Sequence, residues 1–128
     1  MWVRNTLFEE RIFPSFSVNV PTICIGNLAV GGTGKTPMTE YLVRLLSEKY
    51  NVAVLSRGYG RKTTGFRLAS ASDTAETIGD EPMLIHLHFP NIPVAVCANR
   101  VEGIRRLCKL CPKVQCVILD DAYQHRHL

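Results

Sequence analysis

Four short apolar runs punctuate this chain: "VPTICIGN" (20–27), "NVAVLSRG" (51–58), "IPVAVCA" (92–98) and "VQCVILDD" (114–121). Each is separated from the next by a segment that contains helical periodicity. Short, β-branched runs bounded by turn residues read as strands. Their hydrophobicity is continuous rather than alternating, which marks strands buried on both faces, the habit of parallel sheets. Between the first two runs, "KTPMTEYLVRLLSEK" (35–49) places Met38, Leu42, Leu45 and Leu46 at helical spacing. Pro37 belongs in the first turn there, where its missing N–H costs nothing. "YGRKTTGFRLAS" is polar and Gly-rich, a loop with room for a short strand at Phe66 to Leu68. "TIGDEPMLIHLHF" begins with turn residues and becomes helical, and "RVEGIRRLCKLC" is an amphipathic helix. Strands alternating with helices predict βαβ units: an α/β fold with a mainly parallel sheet between two helical layers.

In such sheets ligands bind beyond the carboxyl ends of the strands. The chemically capable segments fall at those ends: Gly26–Thr36, Ser56–Lys62, Asn99–Arg100 and Asp120–His125. Four segments therefore converge on one rim.

The first of them, "NLAVGGTGKTP" (27–37), holds three glycines directly before a lysine. Strand, Gly-rich loop, Gly-Lys-Thr and helix form a P-loop arrangement. The glycines Gly31, Gly32 and Gly34, with Thr33, let successive N–H groups turn toward phosphate oxygens, and the following helix points its positive end at the same place. Lys35 would neutralise β/γ-phosphate charge, and the Thr36 hydroxyl would ligate Mg²⁺. The strict pattern begins with Gly where this chain has Ala29. At the far end, "VILDDAYQH" is an apolar strand ending in acids, as a Walker-B element requires: Asp120 or Asp121 would reach the Mg²⁺ shell from the neighbouring strand. The three-layer architecture is thus expected to be of the P-loop NTPase type.

Composition excludes several classes. The 128 residues suit one core, with 46% hydrophobic and 20% charged residues, ordinary for a globular domain. A net charge of +4 favours anionic partners without singling out nucleic acid. The apolar runs fall short of the ~20 residues of a membrane span. The N-terminal "MWVRNTLFEERIF" carries acids where a signal peptide is apolar. Residues 1–19 read as a helical remnant whose Trp2, Leu7, Phe8, Ile12 and Phe13 suit either a membrane surface or packing on protein; residues 20–128 read as the nucleotide-binding domain. Five cysteines, an odd number lying partly in apolar runs, fit reduced thiols better than a disulfide framework.

Taken in order, "VPTICIGNLAVGGTGKTP", "LSRGYGRK", "GDEP", "ANRVEG" and "DDAYQHRHL" resemble the tetraacyldisaccharide 4′-kinase family, the lipid A pathway kinases of Gram-negative bacteria. The resemblance runs from about Arg4 to Leu128. It implies transfer of the γ-phosphate of ATP, with Mg²⁺, to the 4′-hydroxyl of a tetraacylated glucosamine disaccharide 1-phosphate at the cytoplasmic face of the inner membrane. It implies that Gly31, Gly32, Gly34, Lys35 and Thr36 hold nucleotide, that Asp80 acts as general base, and that Asp120 and Asp121 lie near Mg²⁺ and the phosphates. Arg100 would stabilise transferring charge. Arg57, Arg61 and Lys62 would meet the anionic lipid headgroup, and Gln124 and His125 fall on the motif after the paired acids. By residue type alone, Asp80 also reads as first-turn helix chemistry and Arg100 as a surface residue.

The chain departs from the family pattern at Ala122 and Tyr123, where Gly and Phe are usual. Family members are also over twice as long. The expectation is therefore an N-terminal, ATP-binding fragment, lacking the C-terminal half that brings a histidine to orient the catalytic Asp. A nucleotide switch or metallochaperone-type NTPase shares the Gly-Gly-x-Gly-Lys loop and is the rival reading, but it has no reason to carry "GDEP" with "DDAYQH".

Overall fold

A computed structural model describes residues 20–25 and 35–120. Their order is β1 (Thr22–Ile25), α1 (Lys35–Leu46), β2 (Val52–Ser56), β3 (Arg67–Leu68), α2 (Ala75–Ile78), α3 (Asp80–His88), β4 (Val94–Val96), α4 (Arg100–Leu110) and β5 (Cys116–Asp120). Among the described residues the strands form one sheet in the order β1-β5-β2-β4-β3. The first four are parallel, and β3 closes the edge antiparallel to β4.

Side chains alternate across this sheet, and both faces are apolar. Ile23, Ile25, Val52, Val54, Val94, Cys116 and Ile118 pack on one face with Leu42 and Val43 of α1 and Ile85 of α3. Ala53, Leu55, Ala95, Cys97, Val117 and Leu119 pack on the other with Ile104 and Leu107 of α4. Two cores sharing one sheet explain why the strands read as unbroken apolar runs. Helix α4 approaches closely because position 103 is glycine: a Cβ there would lie 2.9 Å from Leu55 Cδ2 and 3.0 Å from Cys97 Cβ.

Two details depart from the periodicity reading. Leu45 is 50% exposed, whereas Val43 is fully buried. The inward face of α1 runs through Thr39, Leu42 and Val43, with Met38 and Leu46 partly buried against the same core. The "TIGDEPMLIHLHF" segment is also two helices rather than one. Thr74 caps α2 by accepting from Glu76 N–H, while Thr77 Oγ1 accepts from Thr74 N–H. The chain then breaks at Gly79, whose φ of +99° lies outside helical space, and α3 restarts at Asp80.

Candidate nucleotide and phosphoryl-transfer site

The parallel register aligns the strand ends in a row. Ile25 of β1 pairs with Asp120 of β5, Asp120 with Ser56 of β2, and Ser56 with Val96 of β4. This row is the carboxyl edge expected to carry the site. The strand bearing the paired acids is the direct neighbour of β1, so Asp120 ends one residue from the segment "GNLAVGGTG" across the ladder. Helix α1 packs on β5, β1 and β2, which brings its first residues, Lys35 and Thr36, to the same edge.

Asp120 is 1% exposed. With Ser56, Arg57, Cys97 and Arg100 it lines a narrow cleft at the sheet edge. Arg57 and Arg100 are half-buried there. Arg100 opens α4 behind Asn99, whose Oδ1 accepts from Glu102 N–H at 2.9 Å. That cap fixes the helix start and hence the root of the Arg100 side chain. A buried carboxylate flanked by two guanidinium-bearing residues suits a site for anionic phosphate and its cation. By residue type, the Asp120 carboxylate and a threonine hydroxyl at position 36 are the hard oxygen donors that Mg²⁺ takes.

The "SRGYGRK" segment leaves β2 at this edge. Ser56 Oγ accepts from Gly58 N–H at 3.2 Å and turns the chain at once. Arg61 donates to Gly65 O at 2.6 Å and to Thr63 Oγ1 at 3.3 Å, so its guanidinium braces its own loop. Burial lowers the Arg61 pKa; Cys97 opposes that shift and Arg67 adds to it. Lys62 is exposed and anchors through its backbone, donating to Glu76 O at 2.8 Å.

The "GDEP" turn meets this loop. A Cβ on Gly79 would lie 3.3 Å from the Tyr59 carbonyl oxygen and 3.5 Å from Gly58 C. Glycine at φ +99° makes that contact without strain, and exposed Asp80 follows at the first turn of α3, beside the loop that carries Arg57. Arg57, Arg100 and Asp120 thus line one cleft at the sheet edge, and Asp80 opens α3 next to Gly79, which meets the loop that follows Arg57. Gly31, Gly32, Thr33, Gly34, Asp121, Gln124, His125 and residues 1–19 lie outside the described residues.

Sequence reasoning assigned no role to Ser56, which lines the cleft and starts the loop. Its signal was a hydroxyl closing an otherwise apolar strand. None of the five cysteines forms a disulfide. Burial holds the Cys108 and Cys111 thiols above their ordinary pKa, Cys111 adding to the shift at Cys108.

Comparison with known proteins matches this geometry to one family. The family model described as tetraacyldisaccharide-1-P 4′-kinase (LpxK) aligns with residues 1–128. A tetraacyldisaccharide 4′-kinase of Flavobacterium psychrophilum is 56% identical over 124 residues, covering 97% of this chain and 36% of the relative. One from Bacteroides thetaiotaomicron is 54% identical over 127 residues, covering 98% of this chain and 33% of the relative. The crystal structure of the "apo" form of LpxK from Aquifex aeolicus in complex with ATP matches with a TM-score of 0.73 at 33% identity. That match covers 98% of this chain and 42% of the other. The chain spans about a third of the length of the curated relatives it matches. Its order of motifs, its strand-edge row and a family model that covers every residue agree: this chain belongs to the tetraacyldisaccharide-1-P 4′-kinase family.

Proposed function

We propose that this chain carries the ATP-binding part of a kinase that phosphorylates the 4′-hydroxyl of a tetraacyl glucosamine disaccharide 1-phosphate. The observation that supports this best is the pairing of Ile25 with Asp120, which sets a buried carboxylate beside the strand feeding the Gly-Lys-Thr loop. The amides of residues 31–36 and Lys35 hold the triphosphate. Thr36 and Asp120, with Asp121, would hold Mg²⁺, which would offset phosphate charge there.

In the reaction the 4′-oxygen bonds to the γ-phosphorus while the bond from that phosphorus to the β-bridging oxygen breaks, and ADP leaves. Asp80 aligns the hydroxyl and accepts its proton. Arg100 stabilises charge on the moving phosphoryl group. Arg57 and Lys62, with Gln124 and His125, face the anionic acylated disaccharide, while Arg61 shapes the loop between them. We place the work at the cytoplasmic face of the inner membrane, where an acylated acceptor would lie, with the further length that the relatives have completing the acceptor site. Among the described residues no helix is long and apolar enough to cross a membrane.

The test is a lipid kinase assay on the full-length protein with tetraacyldisaccharide 1-phosphate. Asp80→Ala is expected to lower turnover by roughly 10²–10⁴ while ATP affinity holds, the scale of a lost general base. Brisk nucleotide hydrolysis with no phosphorylated lipid would overturn the reading.

A further inference from the structure

Asp73 lies outside every motif of the family resemblance, yet its side chain is only 2% exposed. A buried carboxylate is costly unless its oxygens are fully occupied. These are. Oδ1 accepts from Arg67 Nε at 2.7 Å and from Thr77 Oγ1 at 2.7 Å. Oδ2 accepts from Ser70 N–H at 2.8 Å and Ser70 Oγ at 3.2 Å.

The partners tie together pieces that are otherwise separate. Arg67 belongs to β3 and pairs in register with Val96, at the carboxyl end of β4. Thr77 belongs to α2, two residues before the Gly79 break. The Thr77 carbonyl in turn accepts from Thr63 Oγ1 at 2.6 Å, and Glu76 O accepts from Lys62 N–H. Helix α2 is therefore strapped on one side to the sheet edge through Asp73 and on the other to the loop running from Arg57. Being four residues long, it has little stability of its own. Its position decides where Gly79 meets Tyr59, and so where Asp80 begins α3.

We propose that Asp73 is a positioning residue that sets Asp80 against the Arg57–Lys62 loop by anchoring Thr77 to Arg67. This rests on the reading of Asp80 as the base. Asp73 touches no substrate; it acts through the α2 peg.

The experiment is a double-mutant cycle in the full-length protein, using lipid kinase turnover, ATP affinity and thermal melting. Asp73→Asn and, separately, Thr77→Val are combined with Asp80→Ala. Thr77→Val removes one hydroxyl and leaves the carboxylate, so it carries the test if Asp73→Asn does not fold. The expected result is at least a tenfold fall in kcat from either single variant, with ATP affinity within twofold. On the Asp80→Ala background the same changes should cost less than twofold, because the group they position is gone. An equal fold-loss on both backgrounds, or unchanged kcat in the single variants, would overturn the inference while leaving Asp80 as base. An Asp80→Ala protein with normal turnover would overturn the base assignment, and this inference with it.

Discussion

Ser56 and Asp120 occupy the same register position at the carboxyl ends of β2 and β5, and both are buried, at 8% and 1% exposure. Neighbouring parallel strands thus end in oxygen-bearing side chains, a hydroxyl that starts the Arg57–Lys62 loop and a carboxylate that sits beside the end of β1. Asp120→Asn keeps the shape and removes the charge. We expect magnesium–nucleotide affinity to fall at least ~10-fold, as for a lost carboxylate ligand, with a lower melting temperature because Arg57 and Arg100, which line the same cleft, lose a charged neighbour. Calorimetric titration of ATP with and without magnesium reads the first; a melt reads the second.

Gly79 joins two helices at φ +99° with Tyr59 O only 3.3 Å from where a Cβ would stand. Gly79→Ala should cost about 1–3 kcal/mol, the usual cost of a residue held in a disfavoured backbone region. The loss should show as a melting temperature lower by several degrees. Turnover should fall further than stability alone explains, since the same carbonyl contact sets the start of α3.

Gly103 lets α4 lie on the sheet, and an added methyl would meet Leu55 Cδ2 at 2.9 Å and Cys97 Cβ at 3.0 Å. Both neighbours are buried and cannot swing away. Gly103→Ala therefore overpacks the core by about 1–3 kcal/mol, despite the better helix propensity of alanine. Urea denaturation at neutral pH measures the loss. Because Arg100 sits one turn earlier, nucleotide-dependent activity is expected to drop with it.

Asp73 gives an acid dependence whose sign follows from its contacts. Burial raises its pKa, but the Arg67 hydrogen bond and those from Thr77 and Ser70 outweigh it, and the carboxyl is held at about 2 rather than 3.8. A depressed folded pKa means stability that is complete above the unfolded pKa and lost as pH falls through the folded one. The contribution, on the order of 1–2 kcal/mol after allowance for solvent screening, should fade between pH ~4 and ~2. Denaturation midpoints across that interval should be steeper for the native protein than for Asp73→Asn. Parallel curves would contradict the assignment.

Much of this architecture was legible because local chemistry dictated it. Continuous β-branched runs such as Val52–Leu55 demand a sheet covered on both faces, whichever strands lie next to them. The Gly-rich loop before Lys35 and the Asp-Glu-Pro after Gly79 announce themselves by residue type and spacing. Periodicity gave the helix, and Met38, Leu42 and Leu46 do pack on the core, while Leu45 at the flank of that stripe is half-exposed because residue type alone does not fix where the stripe ends.

What the chain alone determined was the inventory: four parallel strands, the helices between them, and the segments placed at the strand ends. Only the tertiary structure decided that β5 lies between β1 and β2, which puts Asp120 beside the strand that precedes the Gly-rich segment. Only it set Gly79 against Tyr59 and closed Asp73 on Arg67 and Thr77. Strand order and loop docking are chosen by the packing of distant surfaces against one another, and a linear pattern of apolar and polar residues holds no record of which surfaces meet.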